Sequence, residues 1–468
     1  MHLRRRTLLQ AAPSALLTAS LANAEPTSPS YGDWYATLDV GARQLRLRLN
    51  ISEGPRAALY SLDQGGTAIP ASEVRLDSNR LHVSWSALGA KFQGTLTEGK
   101  ISGQFTQGQT FPLVFSRTPT QSNDVEIIPL TQQRLIELRQ KSGSPALIAA
   151  ALGKSGKQIA LVDGIRMQGH RQPAQITDKW HLGSCTKSMT ATLIARLVDA
   201  GQISWRDTIG STLAKTVPGI RSEYLDANFL HLLSHRAGLA ANIGSFDLLK
   251  FPRENADPRA DRSAYAKLVL STAPRGAKEA HFEYSNSGYV IAGAMIEAKL
   301  GSTWETLIKQ HVFDPLEMQG AGFGAPGTQG AVDQPVGHNV SLLGTLSPFP
   351  PGSPITDNPA VLGPAGRVHA TMDNVQKYLV AHANMSPFLT RASWNALHTP
   401  PFGGNYALGW ERRKEKIWHN GTNTLWYAEI TADLARGTVA AAAANDGRLQ
   451  SAQPAVANAL KGAMAAVT

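Results

Sequence analysis

The sequence predicts an α+β protein: an antiparallel sheet flanked by terminal helices, with an added helical domain, and a small all-β domain in front of it. Two observations predict this fold class. Residues 31 to about 117 alternate apolar and polar side chains in short runs, and from about residue 127 helical and strand patterns mix. In that second part a helix and two strands come first, and three strands and a helix come last. This order is typical of one antiparallel sheet covered by helices.

The small all-β domain is expected over residues 30–118. In "QLRLRLNI" (44–51) apolar side chains alternate strictly with arginine and asparagine, which is the period-two pattern of a half-buried strand. Segments 80–85 and 100–117 continue the pattern, with Gly, Asn, Asp and Ser between the runs. The sequence of this domain contains no group of residues typical of a catalytic site. We therefore expect a structural role, with binding of a ligand or partner as the alternative.

A polar linker over 119–127 separates this domain from a second one over 128–468. "TQQRLIELRQKSG" (131–143) predicts a helix that ends near Gly143, and 145–164 predicts two strands joined by a turn. The elements predicted at the other end of the domain are three strands and a last helix, over 416–421, 426–434, 437–446 and 451–467.

Residues 1–24 are expected to form an export signal. The segment is cationic, then apolar, and ends in Ala22-Asn23-Ala24, while Arg5-Arg6 before Thr7 resembles a twin-arginine signal. The apolar run of this segment is too short for a stable membrane span. We expect no stable membrane span in the chain once the signal has been removed. The prediction is a periplasmic or secreted protein, with an uncleaved anchor as the alternative.

The net charge of +10 does not indicate nucleic acid, because the chain has no dense Lys/Arg run beyond its N-terminus, no zinc-finger spacing and no RNP-like motif. Cys185 is the only cysteine, so no intrachain disulfide forms. The expected partner is a small-molecule or peptide substrate, and the oligomeric state stays open.

Two motifs carry candidate chemistry. Ser184 and Lys187 lie three residues apart at the start of an apolar helix, so the amine can stand beside the hydroxyl on one helix face. The alternative is a serine N-cap with a solvated lysine, and we expect Ser184 to cap the helix in either case. Tyr284-Ser285-Asn286 stands in a loop just before another apolar helix, from which a phenol and an amide can point into one cleft.

With these motifs the chain from about 127 to 468 resembles the serine β-lactamase/DD-peptidase-like superfamily, nearest its class C and related esterase branch. Further segments follow the family's order, namely "FLHLLSHRAGL" (229–239), "PLEMQGAGFG" (315–324), "GPAGRVHATMDNVQKYL" (363–379), "YALGW" (406–410) and "WHNGTNTLWYA" (418–428). The resemblance implies a β-lactamase/transpeptidase-like fold. The all-β domain lies outside it.

The family's third motif, a cationic residue or His followed by x-Gly on a strand, matches His419-Asn420-Gly421 best. Lys299-Leu300-Gly301 fits the same pattern but ends a predicted helix, where a glycine C-cap is expected.

The resemblance implies the roles of the site residues. Ser184 is the nucleophile that forms an acyl-enzyme, and Lys187 takes its proton if burial or nearby charge lowers its pKa. Tyr284 shares or relays that proton, and which group is the base stays open. Asn286 orients the substrate and holds Lys187. The amides of Ser184 and Thr422 form the oxyanion hole, with His419 and Gly421 at the substrate. No metal or organic cofactor is required.

Departures from the family leave the substrate open. Histidine at 419, where many β-lactamases carry lysine, is mostly neutral near pH 7 and attracts a carboxylate weakly. Asn420 in place of threonine removes a hydroxyl from the expected site edge. We expect cleavage of a small ester or D-amino-acid peptide. The alternatives are a β-lactamase and a penicillin-binding sensor with slow turnover.

Other residues have structural interpretations that compete with functional ones. His231 and His235 have a spacing that metal ligands use, but no acidic partner accompanies them, so capping or core hydrogen bonds are expected. Cys185 lacks a neighbour that would stabilise a thiolate, apart from the helix start. The aromatic residues that could line an acyl pocket, with core packing as the alternative, are Trp410, Trp418, Trp426 and Tyr427.

Overall fold

The structure is a computed structural model that describes residues 30–39, 44–54, 56–62, 68–118, 127–341, 345–353 and 355–468. The chain divides into two compact units, Met1–Asn123 and Asp124–Thr468. The predicted export signal lies outside the described residues, as does nearly all of the predicted linker.

The first unit is a nine-stranded antiparallel sheet in the order β4-β3-β2-β1-β9-β8-β7-β6-β5. The strands are β1 (Gly32–Asp39), β2 (Gln44–Ser52), β3 (Arg56–Ser61), β4 (Ala68–Pro70), β5 (Glu73–Asp77), β6 (Arg80–Trp85), β7 (Ala90–Thr97), β8 (Lys100–Gln107) and β9 (Gln109–Ser116). The predicted alternation in β2 buries Leu47, Leu49 and Ile51, which pack with Trp34 and Phe92 in one core.

The second unit begins and ends with helices that cover one sheet. Its elements are α1 (Gln132–Ser142), β10 (Ala146–Leu152), β11 (Gln158–Gly164), β12 (Lys179–His181), α2 (Thr186–Asp199), α3 (Ile209–Leu213), α4 (Phe229–Leu233), α5 (Ser245–Leu248), α6 (Arg259–Leu270), α7 (Asn286–Leu300), α8 (Trp304–Ile308), β13 (Gly322–Phe323), β14 (Gly337–Val340), β15 (Leu346–Phe349), α9 (Gly363–Gly366), β16 (Val368–Thr371), α10 (Met372–Ala383), α11 (Arg391–His398), β17 (Glu411–Arg413), β18 (Lys416–Thr422), β19 (Tyr427–Asp433), β20 (Thr438–Ala444) and α12 (Leu449–Val467).

The main sheet is antiparallel, in the order β11-β10-β20-β19-β18-β17. Alternate residues of β10 enter two different cores: Leu147 packs with α1 and α12 on one face, and Ile148 packs with the helical region on the other. Burial on both faces explains why β10 is apolar throughout and why β20 is apolar after its first residue, Thr438. The predicted α+β fold with a small all-β region before it is confirmed.

The helical middle of this unit also contains short strands that its sequence pattern did not indicate. Strands β12, β16 and β13 form a three-stranded sheet, and β14 pairs with β15. β12 leads directly into the turn before α2, so its pairing with β16 fixes where α2 begins.

Among the described residues, no helix combines the length and apolar character needed to cross a membrane. The same residues contain no group of three or more His, Cys, Asp or Glu side chains placed to hold a metal ion.

Candidate active site

Ser184 lies in a short 3-10 turn, Gly183–Cys185, that leads into α2. The turn packs flat against β18, because a Cβ atom on Gly421 would stand 2.0 Å from the carbonyl oxygen of Leu182 and 2.5 Å from the amide nitrogen of Ser184. Gly183 has a φ of 50° and faces β18 just as closely, since its own Cβ would stand 2.4 Å from the amide nitrogen of Thr422. Two glycines therefore bring the amides of Ser184 and Thr422 to the same place.

Lys187 is fully buried one helical turn after Ser184. Its Nζ lies 3.0 Å from the Ser184 Oγ, 2.6 Å from the Asn286 Oδ1 and 2.8 Å from the carbonyl oxygen of Ala365. Burial lowers the pKa of Lys187 from 10.5 to about 7, because a buried site disfavours the charged ammonium. A substantial neutral fraction of this amine is therefore present near pH 7.

The partners of Lys187 also orient its neutral form. The Asn286 Oδ1 and the Ala365 oxygen can only accept hydrogen bonds, so they take the two N–H groups of a neutral amine. The remaining lone pair then faces the Ser184 hydroxyl, the group whose proton has to be removed. The amine is thus placed as a base toward Ser184.

Tyr284 lies on the open side of this pair and is 38% exposed. Its ring centroid is 4.9 Å from the Lys187 Nζ. Desolvation raises the pKa of the Tyr284 hydroxyl, and a hydrogen bond with Ser184 offsets part of that rise. The phenol therefore stays protonated near neutrality and can donate a proton beside Ser184.

Asn286 is the first residue of α7, directly after the N-cap Ser285. The Ser285 Oγ accepts the Gly288 N–H at 3.1 Å and donates to the carbonyl oxygen of Ala240 at 2.8 Å. The Asn286 Nδ2 donates to the Oδ1 of Asn242 at 2.8 Å, which leaves its own Oδ1 facing Lys187. The cap thus holds the Tyr284 and Asn286 ends of the motif in place.

His419 is buried in β18, and both of its ring nitrogens are occupied. Its Nδ1 donates to the carbonyl oxygen of Asn420 at 2.6 Å, and its Nε2 accepts from the Tyr406 hydroxyl at 2.9 Å. Burial, and after it the charge of Lys187, lower the pKa of His419 to about 3. His419 stands 6.3 Å from Tyr284 between ring centroids, but it is neutral.

Asn420 does not lie at the site edge, in contrast to the expectation from the motif. Its Nδ2 donates to the Tyr427 hydroxyl at 3.2 Å, and Tyr427 belongs to the core beneath α1 and α12. The physical reason is strand alternation, because neighbouring residues of β18 point to opposite faces of the sheet.

The serine-cap interpretation of Ser184 is wrong in this structure. The N-cap position of α2 is Cys185, which makes no side-chain capping bond, and the Ser184 Oγ meets Lys187 instead. The solvated-lysine alternative is likewise wrong, since Lys187 is fully buried. Burial raises the pKa of the Cys185 thiol, and its Sγ contacts the carbonyl oxygen of His419 at 3.7 Å, so Cys185 is a packing residue.

The remaining sequence candidates take structural positions. His231 belongs to the capping box of α4, where its Nδ1 accepts the Asn228 N–H at 3.1 Å. Three of the four aromatic candidates are fully or almost fully buried in the cores; they are Trp410, Trp426 and Tyr427. Trp418 packs at the edge of the core beneath the terminal helices.

His235 makes the core hydrogen bond expected of it, but its place beside Tyr284 was not predicted. Its Nδ1 accepts the backbone N–H of Ser285 at 3.0 Å, and its ring lies 4.4 Å from that of Tyr284 and 4.5 Å from that of Tyr406. The contact of Asn242 with Asn286 was also not predicted, and although Tyr406 begins the segment "YALGW", that segment does not show that Tyr406 contacts His419. The segment "HRAGL" placed His235 in a stretch that resembles the family, but it did not predict which residues His235 contacts.

Comparison with known proteins shows the family to which the chain is related. A family model described as Beta-lactamase matches residues 133–463. Penicillin-binding protein 4 of Amycolatopsis lactamdurans is 27% identical over 263 residues, which are 54% of this chain and 62% of that protein. A protein named Beta-lactamase from Yersinia enterocolitica is 24% identical over 214 residues, which are 46% of this chain and 51% of that protein. The chain therefore spans less than two thirds of the length of these relatives.

A solved structure supports the fold independently. The D-amino acid amidase of Ochrobactrum anthropi superposes with a TM-score of 0.57 at 18% identity, covering 72% of this chain and 97% of the amidase. At that identity the likeness shows the shared fold alone.

Proposed function

The chain belongs to the beta-lactamase family of serine hydrolases, and on that premise we propose that it is an exported hydrolase that cleaves an ester or amide through an acyl-enzyme on Ser184. The observation that carries the proposal is the buried Lys187 amine, 3.0 Å from the Ser184 Oγ, whose pKa is lowered to about 7. A serine hydroxyl becomes a useful nucleophile when such a base takes its proton.

In acylation the Lys187 amine accepts the Ser184 proton while the Oγ bonds to the substrate's carbonyl carbon. The amides of Ser184 and Thr422, held together by Gly183 and Gly421, stabilise the oxyanion that forms. When the intermediate collapses, the bond to the leaving alcohol or amine breaks. Tyr284 donates its proton to that leaving group and recovers one from the lysine ammonium.

In deacylation the same groups act on water. Water attacks the acyl carbon and gives up a proton to the base. The ester bond to Ser184 then breaks, and the Oγ regains its proton. The net reaction consumes one water and releases an acid and an alcohol or amine.

The proposed substrate is a small ester or a D-amino-acid peptide. The neutral and fully hydrogen-bonded His419 offers no fixed positive charge to a substrate carboxylate. The name of the Yersinia relative supports a β-lactamase as the second candidate. The Amycolatopsis relative's name supports penicillin binding, so a penicillin-binding sensor with slow turnover is the third candidate.

We also propose a periplasmic or secreted location, supported by the sequence of residues 1–24. A small molecule or peptide is the proposed partner.

The test compares wild type with Ser184→Ala on p-nitrophenyl esters, a D-Ala-D-Ala peptide, a chromogenic cephalosporin and a labelled penicillin. Cys185→Ala, the adjacent buried residue, is the matched control and should keep activity. Loss of turnover in Ser184→Ala alone supports the proposal. Hydrolysis that survives Ser184→Ala unchanged refutes it. Cephalosporin turnover favours the second candidate, and stable penicillin labelling without turnover favours the sensor.

A further inference from the structure

Asp357 is a buried carboxylate outside the motifs, between β15 and α9, and four donors from four other residues converge on it. Its Oδ2 accepts from the His181 Nε2 at 3.1 Å and from the Arg367 Nε at 3.3 Å. Its Oδ1 accepts from the Asn423 Nδ2 at 2.8 Å and from the Asn358 N–H at 2.7 Å. Asp357 is buried, with 5% of its surface exposed. Its hydrogen bonds connect segments that are far apart in the chain.

The His181 contact leads to the nucleophile turn. The backbone N–H of Gly183, directly before Ser184, donates to the His181 Nδ1 at 3.1 Å. A ring nitrogen that accepts carries no proton, so the ring proton is on Nε2 and points at Asp357. The carboxylate therefore selects the tautomer that can hold Gly183.

The Asn423 contact leads to β18. Asn423 directly follows Thr422, and its Oδ1 accepts the backbone N–H groups of Leu425 and Trp426, each at 3.2 Å. The Trp426 ring stacks on the His181 ring with centroids 5.4 Å apart, so the two branches also pack against each other.

We propose that Asp357 is a positioning residue that keeps the two halves of the oxyanion hole in register, holding the Ser184 side through His181 and the Thr422 side through Asn423. The inference rests on the proposed function, because Asp357 would position groups that act in that same reaction. A hole made of two amides on separate segments stabilises charge only while both point at one spot.

The electrostatics fit a permanent acceptor. Burial raises the pKa of Asp357, but the hydrogen bonds from His181 and Asn423 and the charge of Arg367 outweigh burial and lower that pKa. Asp357→Asn keeps the shape and replaces one accepting oxygen with a donor. A donor facing the His181 Nε2 proton favours the other tautomer, whose Nδ1 proton then opposes the Gly183 N–H.

The experiment titrates active sites with a fluorophosphonate that labels Ser184 and reports kcat per labelled site, KM and the labelling rate. For Asp357→Asn we expect kcat per site and the labelling rate to fall about 10²–10³-fold, as when one oxyanion donor is lost, with KM little changed. Asp446→Asn is the matched control, since Asp446 is equally buried and accepts from Ser144 and Arg448 away from the site. It should lower the yield of labelled protein but leave kcat per site unchanged.

A second variant and a measurement on wild type keep the inference testable if Asp357→Asn does not fold. His181→Gln leaves the acid in place and should cause the same loss per labelled site. Nitrogen-15 NMR of wild type should show His181 protonated on Nε2.

The inference is overturned if Asp357→Asn or His181→Gln keeps the wild-type kcat and labelling rate per site. It is also overturned if the His181 ring is protonated on Nδ1. Neither result affects the proposed function. A wild-type chain whose Ser184 does not react overturns the proposed function, and the inference with it.

Discussion

At the scale of single residues, the proposed chemistry depends on the lowered pKa of Lys187. A lysine on a helix surface is protonated near pH 7 and cannot accept a proton from serine. Here the amine is buried among the Asn286 side chain, the Ala365 carbonyl oxygen and Ser184, with no carboxylate among its hydrogen-bond acceptors. Desolvation then outweighs other effects on its pKa.

This predicts the pH dependence of the reaction. Because the pKa of Lys187 is lowered to about 7, the base is protonated and inactive below that pH and neutral above it. We expect kcat/KM to rise with pH, with an apparent pKa near 7, and then to level off while Tyr284 stays protonated. The measurement is kcat/KM against pH on an uncharged ester, with enzyme stability checked at each pH. A flat profile between about pH 6 and pH 8 would contradict Lys187 as the base.

At the scale of elements, the starts of two helices hold the residues of the proposed catalytic site. The turn before α2 presents Ser184, and the cap of α7 presents Tyr284 and Asn286. The N-cap Ser285 ties the second start to the 240–242 segment through its hydroxyl. The local geometry that satisfies a helix end therefore also sets the distance between the phenol and the lysine.

Replacing the cap should separate stability from positioning. Ser285→Ala is expected to cost about 0.5–2 kcal/mol of unfolding free energy and also to lower kcat per labelled site, because both neighbours of Ser285 contact Lys187. Thr131→Ala removes the cap of α1, where the Thr131 side chain accepts from Arg134, and should cost a similar amount with kcat unchanged. Denaturant unfolding and kcat measure the two effects. Equal kcat in both variants would show that the α7 cap has no positioning role.

At the scale of the whole molecule, the two units have separate hydrophobic cores. Among the described residues, the core of the first unit lies between Tyr31 and Phe115, and the two cores of the second unit begin at Leu130 and at Ala146. Every residue assigned to the site lies in the second unit. Each unit thus has its own buried apolar surface with which to fold.

Removal of the first unit should leave the chemistry intact. A chain of residues 127–468 is expected to react with fluorophosphonate at Ser184 and to show the kcat per labelled site of the longer chain. Comparison of the two chains by labelling and by ester hydrolysis checks this. A shortened chain that folds but turns over a small ester more slowly would assign the all-β unit a part in catalysis.

Much of the fold was predictable from local pattern. The alternation in β2 predicts which side chains are buried, and the helical period with Gly143 at its end predicts α1 and its C-cap. Short strands such as β12 and β16 were not predicted, because three or four residues are too few to show the alternation of a strand. The direction of Asn420 was also misjudged from the motif, since the face that a strand residue takes depends on register within the sheet.

The sequence by itself determined the two-part architecture and the order of motifs that marks the family, because both depend on patterns within a few residues. Only the tertiary structure decided the lowered pKa of Lys187, the hydrogen-bond partners of His419 and the link from His181 through Asp357 to Asn423. Asp357 is 176 residues from His181 and 66 from Asn423. Desolvation and hydrogen-bond partners come from whatever segments pack together, and no local pattern records which segments those are.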